Sequence, residues 1–312
     1  MASLAHQAFT YSNTGDFLSA MVPFIREGLE VEDAVLAVTS QANIAALRDE
    51  LGADGAAVEF RDSLDWYRQP YQALTAYGRY VEQHATSGIV RIIGEPVWEG
   101  RSPASVREWT RYESALNVAF AAAPAWIVCP YSVNTLPEQI VAHALRTHPE
   151  VVDARGPRSS ASYVEPATLF DSLANRAAPP PDAPVVTLHV EDLSDARHLA
   201  ARWAQDAGLE HERLHDWTLA IGELITNGAK HGREPVRLRL WRDREGLVAE
   251  AHDNGNGLSD PLAGCIPTVS DSRSGRGLWI VRQLADSLDF CRHGDGFAVR
   301  MRFASAHRTT QA

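Results

Sequence analysis

The sequence predicts an α/β protein of two domains: a mostly parallel sheet between helical layers in front, and an α/β sandwich with a mixed or antiparallel sheet behind. Three observations carry that expectation. Short apolar runs alternate with helical patterns over residues 1–152. Strands with period-two alternation stand among longer helices over 185–305. Between them, residues 153–184 (DARGPRSSASYVEPATLFDSLANRAAPPPDAP) have little apolar periodicity and end in a proline cluster, as a semi-rigid spacer does. Residues 306–312 are expected to form a tail.

In the front part the strands are expected at AFTY (8–11), AVLAVT (34–39), AAVEF (56–60), IVRIIG (89–94) and AWIVCPY (125–131). Such short, largely apolar runs suit parallel strands covered on both faces. The helices between them are expected over 17–29, 41–51, 71–85 and 104–123. Strand–helix alternation of this kind implies a parallel or mostly parallel sheet. The back part opens with a strand, VVTLHV (185–190), then a helix that Ser194 can cap. A second helix runs from about Glu210 to His231, and VRLRLWRD and GLVAEAHD follow as two strands joined by a short charged turn at Arg244–Gly246. A glycine-rich stretch leads to the helix GLWIVRQLADSL, and FAVRMRF closes as a strand.

The composition of the 312 residues, 45% apolar and 22% charged, is that of a soluble globular protein and excludes wholesale disorder. The net charge of −11 repels nucleic acid and anionic membrane, so neither is expected as a direct partner. Residues 1–184 hold 22 acidic against 13 basic residues, and 185–312 hold 18 against 16, so the front is the acidic part. Cys129, Cys265 and Cys291 are too few and scattered for a disulfide framework and fit a reducing cytoplasm. The opening residues, MASLAHQAFTYS, have neither the basic nor the apolar region of a secretory leader. No apolar run approaches the ~20 residues of a membrane span. A cytoplasmic protein is expected. Of 29 basic residues 28 are arginine, and Lys230 is the single lysine.

Three segments of the back part carry chemistry. In ELITNGAKHG (223–232), Glu223 and Asn227 lie four apart on one helix face, and Lys230 and His231 continue it. A carboxylate and a carboxamide in line suit a hard cation such as Mg²⁺, and a lysine suits phosphate. Taken alone, the same pattern equally describes a solvated helix face. In DNGNG (253–257), Asp253 can accept from an exocyclic amine, and Gly255 and Gly257 allow close backbone approach, although Asn-Gly pairs also make ordinary turns. In RSGRGLWIV (273–281), Gly275 and Gly277 precede a helix start, where free N–H groups attract phosphate, and Arg273 and Arg276 add positive charge.

In this order the three segments resemble the Bergerat nucleotide-binding fold shared by histidine kinases, gyrase and MutL. Within it they are similar to the RsbW/SpoIIAB branch of anti-sigma-factor serine kinases, over residues 185–305. The resemblance implies ATP and Mg²⁺ as cofactors, Asn227 as the Mg²⁺ ligand, Glu223 as general base and Asp253 as adenine anchor. It further implies Gly255, Gly257, Gly275 and Gly277 as the glycines around the nucleotide, Arg276 as a phosphate contact, residues 258–274 as a lid, and a homodimer. HERLHD (211–216) is only faintly like a phosphoacceptor box and sits inside the Glu223 helix, so His211 and His215 are expected to be solvated helix residues.

Residues 4–150, through LAHQAFTYS, IIGEPVWEGRSPAS, RYESALNVAF, CPYSV and RTHP, resemble the MEDS sensory domain found ahead of kinase-like domains in the RsbA group of anti-sigma regulators. Small-ligand sensing is what this implies. The candidates for ligand contact are His6, Tyr11, Glu95, Trp98, Glu113, Cys129 and Tyr131, several of them near strand ends, where open α/β sheets place ligands. Each also has a packing explanation, with Trp98 and Tyr131 as core aromatics and Cys129 as a small buried hydrophobe. Ser132 stands where the family often has Asp, which puts a polar role there in doubt. No GxxxxGK[ST] loop occurs in residues 1–150.

Together these features give the expectation of an ATP-binding regulator that phosphorylates a serine or threonine of a STAS-type anti-anti-sigma partner, or holds a sigma factor, under control of the front domain. Two alternatives are a binding-only regulator that uses ATP without transferring phosphate, and a small-ligand sensor with a vestigial nucleotide site.

Overall fold

The computed structural model of the chain describes residues 4–85, 88–153, 156–267, 276–293 and 296–304. It divides into two compact units, Met1–Arg101 with Trp109–Leu169, and Ser102–Glu108 with Phe170–Ala312.

The first unit is an α/β/α sandwich. Its elements run β1 (Ala5–Tyr11), α1 (Thr14–Glu30), β2 (Ala34–Thr39), α2 (Gln41–Leu51), β3 (Glu59–Asp62), α3 (Ser63–Trp66), α4 (Pro70–His84), β4 (Val90–Gly94), α5 (Pro103–Ala119), β5 (Ala125–Ser132), α6 (Glu138–Thr147), β6 (Glu150–Asp153), β7 (Gly156–Ser159) and α7 (Pro166–Ser172). The sheet order is β3-β2-β4-β5-β1-β6-β7, and only the β6–β7 pair is antiparallel. Local chemistry starts the helices where the sequence permits: Asn13 caps α1 through Asp16 N–H, and Ser40 caps α2 through Asn43 N–H.

Alternation along the strands gives the sheet two unlike faces. Phe9, Val35, Ala37, Ile93 and Val128 pack with Phe17, Met21, Ile25 and Leu47 of α1 and α2, an aliphatic and phenyl core. The neighbouring strand positions put His6, Cys129 and Tyr131 on the opposite face, since His6 pairs with Ile127 and Ala8 with Cys129 in register. That face meets α5, where Asn117 bonds to His6. Trp109, Tyr112, Tyr71 and Tyr77 are among the largest fully buried side chains of the protein.

The second unit holds β8 (Val185–Leu188), α8 (Leu193–Asp206), α9 (His211–His231), β9 (Val236–Arg242), β10 (Gly246–Asp253), α10 (Gly277–Leu284), β11 (Ser287–His293) and β12 (Gly296–Ala304). Its sheet, β11-β12-β10-β9-β8, is antiparallel throughout. One stripe of α9 (Trp217, Ala220, Ile221, Leu224, Ile225) packs on Leu238, Leu240, Ala249, Met301 and Phe303. That spacing is the 3.6-residue period of a helix with one apolar face. Trp217 also donates its indole N–H to the Ala200 carbonyl at 3.0 Å, which ties α9 to α8.

Four expectations need correction. AAVEF is only partly strand: residues Gly52–Ala57 form a 3₁₀ turn, and β3 begins at Glu59. Ser194 lies inside the first turn of α8, because Asp192 takes the position before the helix and accepts from His189 N–H at 2.9 Å. The expected helix GLWIVRQLADSL is too long: α10 ends at Leu284, and Ser287 opens β11, a strand not expected because Asp289 and Arg292 interrupt its apolar run. Finally, residues 153–184 are not a simple spacer. They include β7 and α7, and their end covers the outer face of the second sheet. There Ala183 packs with Trp241 and Val248. Asn175 N–H donates to Asp289 at 3.0 Å, and Arg300 donates to the Ala177 carbonyl at 2.9 Å. Backbone polar groups satisfied by distant strand side chains leave no trace in local composition.

Covering that face buries Glu250 completely, and Arg300 donates to it through Nε at 3.0 Å and Nη2 at 2.6 Å, with Arg239 adding a bond at 3.3 Å. Removing one partner leaves buried charge uncompensated. Glu250→Ala is therefore expected to cost about 3–5 kcal/mol, measured by urea unfolding of the full chain, with Arg239→Ala costing much less because its side chain is partly solvated. Among the described residues, no helix is long and apolar enough to cross a membrane.

Candidate functional site

In the second unit, α9, α10 and the end of β10 converge. Glu223 and Asn227 lie one turn apart on α9, half-buried at the flank of its apolar stripe. Gly277 opens α10 directly against them. A Cβ built on Gly277 would stand 2.7 Å from Glu223 Oε2 and 2.9 Å and 3.1 Å from Asn227 Nδ2 and Oδ1. A glycine brings the N–H end of α10 this close to the carboxylate and carboxamide without displacing either. The juxtaposition suits a phosphate and its cation: N–H groups of a helix start for the anion, and two hard oxygen donors for Mg²⁺.

Asp253 ends β10 and is buried. Its Oδ1 accepts from Gly255 N–H at 2.6 Å and from Arg233 N–H at 3.4 Å, which leaves Oδ2 to accept from a ligand amine. Those bonds tie the end of β10 to the residues following α9. Gly257 has φ +71°, the left-handed region that glycine adopts without penalty. Lys230 and His231 occupy the last turn of α9, both exposed, and Arg276 is exposed at the N-cap position of α10. Arg273, Gly275 and residues 268–274 of the expected lid lie outside the described residues. His211 and His215 are exposed on α9, as expected.

The front candidates fall into two groups. Tyr11 and Glu95 belong to a closed network at the strand ends. Glu95 accepts from the Tyr11 hydroxyl at 2.6 Å, from Asn43 Nδ2 at 2.9 Å and from Thr39 Oγ1. A carboxylate so bonded is satisfied within the fold. Ser132 faces this network from β5, paired in register with Tyr11.

The second group is buried deeper. His6, Glu113 and Cys129 meet on the polar face of the sheet, together with His148, which follows α6. Tyr131 and Trp98 flank them, their rings 6.4 Å apart, with Tyr131 5.8 Å from the His148 ring. Burial pushes the Glu113 carboxyl up to about 7, against the opposing influence of His6 and the neighbouring Cys129 and Tyr131. Burial, helped by His148, pulls His6 down to about 3, and burial pulls His148 down to about 4. Burial and the Glu113 charge raise the Cys129 thiol. His148, Asn117, Thr39 and Asn43 were not singled out in the sequence. His148 lies in the RTHP run, but no regular spacing links it to Cys129, Glu113 and His6, which stand 19, 35 and 142 positions earlier.

Residues 5–149 match the family model described as MEDS, the methanogen/methylotroph, DcmR sensory domain. Residues 186–303 match the histidine kinase-like ATPase domain model. Among curated proteins none matches the chain. An ATPase domain of this kind implies ATP use, and Glu223, Asn227, Asp253 and Gly277 fit that cofactor on the geometry above. Gly277→Ala is accordingly expected to weaken binding of a fluorescent ATP analogue at least about tenfold, because the added methyl displaces Glu223 or Asn227. Far-ultraviolet circular dichroism should stay unchanged.

Proposed function

From a chain that joins a MEDS sensory domain to a histidine kinase-like ATPase domain, we infer a cytoplasmic, ATP-dependent protein kinase that modifies a serine or threonine of a STAS-type anti-anti-sigma protein. In its other state it holds a sigma factor, and the sensory domain selects between the two. The observation that carries this reading is the Glu223–Asn227 pair set against Gly277 at the start of α10. Bound Mg²⁺-ATP supplies the transferable phosphoryl group and the charge that neutralises it.

The chain's own groups then have separate tasks. Asn227 offers its carboxamide oxygen to the cation, and Asp253 accepts from the exocyclic amine of the base. Glu223 orients the attacking hydroxyl and takes its proton. Lys230 and Arg276, exposed at the end of α9 and the start of α10, meet phosphate charge. His211 and His215 are exposed near the start of α9 and are not phosphoacceptors in this scheme.

The test incubates the purified chain with γ-labelled ATP, Mg²⁺ and candidate STAS proteins. Acid-stable label on the partner is expected, and Glu223→Gln should lower its rate about 10²–10⁴-fold while retaining ATP binding. Bound ATP with no transferred label would replace this reading by a binding-only regulator. Acid-labile label on the chain itself would overturn it in favour of histidine phosphorylation.

A further inference from the structure

We propose that His6, Glu113, Cys129 and His148 form a binding site for one divalent cation of the zinc class inside the front unit. Four separate pieces of chain deliver these side chains: β1, α5, β5 and the link between α6 and β6. Their ligand atoms all lie within 4.8 Å of one another. His148 Nε2 stands 3.3 Å from Glu113 Oε2, His6 Nε2 is 3.8 Å from the same oxygen, and Cys129 Sγ is 3.6 Å from His6 Nε2. A tetrahedral ion with bonds of about 2.0–2.3 Å spaces its ligand atoms about 3.3–3.8 Å apart.

The far side of each imidazole sets its tautomer. Asn117 Nδ2 donates to the Ser114 and Thr147 carbonyls at 3.2 Å and 2.8 Å, so its oxygen faces His6. His6 Nδ1 lies 2.9 Å from that oxygen and must carry the proton. His148 Nδ1 lies 2.8 Å from the Ala144 carbonyl, which can only accept. Both rings therefore turn an unprotonated Nε2 inward. A proton held on the outer nitrogen by a carbonyl or amide oxygen is the usual support of a metal-binding histidine.

Electrostatics point the same way. Glu113 is 1% exposed, and among the described residues no hydrogen bond of ordinary geometry reaches either of its carboxylate oxygens or His148 Nε2, although the Cys129 thiol and Tyr131 hydroxyl lie beside the carboxylate. Such groups are rarely left so in a folded protein. A divalent ion gives all of them a partner, and its charge balances one thiolate and one carboxylate. The donors, two nitrogens, one sulfur and one oxygen, favour Zn²⁺ over the oxygen-seeking Mg²⁺ and Ca²⁺. This site stands apart from the ATP-dependent reading and does not rest on it, although it gives the sensory domain a ligand class.

The test strips the full-length chain with a chelator, keeps thiols reduced with a phosphine, and titrates it with Co²⁺ as a spectroscopic stand-in. One Co²⁺ per chain is expected, with the visible bands of tetrahedral cobalt and a near-ultraviolet thiolate-to-cobalt band, all lost when Zn²⁺ displaces it. Cys129→Ser should erase the thiolate band, whereas Cys265→Ser and Cys291→Ser keep it. Asn117→Ala, which removes the acceptor of His6 Nδ1 and a donor to the Thr147 carbonyl beside His148, should weaken Co²⁺ affinity about 10–100-fold and retain the band. Absence of tetrahedral bands in the unaltered chain, or a thiolate band that survives Cys129→Ser, would overturn the proposal. Because the readout needs no nucleotide, its failure is distinct from a failure of phosphotransfer.

Discussion

Taking a carboxylate out of water costs several kcal/mol unless a charge or hydrogen-bond donors meet it. Glu113 is taken out of water almost completely, between α5 and a sheet face, with two imidazoles and a thiol around it. The packing of the front unit follows from that. One sheet face is mostly aliphatic and phenyl, with Arg91 held there by Asp33 at 2.8 Å and Trp126 donating to Gln7 at 2.7 Å. The other sets His6, Cys129, Tyr131 and the tyrosines and tryptophan of the neighbouring helices, which carry polar groups, beside the aliphatic Leu36, Ile92 and Ile127. A fold under selection for stability alone would fill both faces alike, since hydrocarbon is easier to bury. The polar face is the feature that stability leaves unexplained.

The second unit obeys a different constraint, the close approach of two helices. The apolar stripe of α9 fixes the helix on the sheet and so turns Glu223 and Asn227 to its flank. Glycine at 277 then lets the start of α10 reach them. On the far side of the sheet, the end of the 153–184 segment covers Glu250 and Arg300. The helical face of the sheet is thus held by apolar packing, and its outer face also by buried ionic bonds.

The two sites differ in the hardness of their donors. Carboxylate and carboxamide oxygens at Glu223 and Asn227 suit Mg²⁺, which dehydrates reluctantly and keeps water ligands in a half-open site. Imidazole nitrogens and a thiolate in a dry pocket suit a borderline-soft ion that gives up its water. The two proposed sites would therefore not compete for the same ion.

Much of this was legible in the sequence. The apolar runs marked β1, β2, β4 and β5, and their alternation with helical patterns gave the parallel sheet. The helix from about Glu210 to His231 was legible as α9, and the ordered Glu223, Asp253 and Gly277 segments marked the candidate nucleotide site, because local spacing sets one helix face and glycine marks close approach. The tertiary structure alone decided the rest. It showed that a proline-ended segment covers a sheet, that β11 exists despite its charges, and that Tyr11 and Glu95 satisfy each other. It also brought His148 to His6, Glu113 and Cys129. Periodicity reports the face on which a side chain lies, but which distant residue faces it depends on strand order, and strand order is a property of the folded chain.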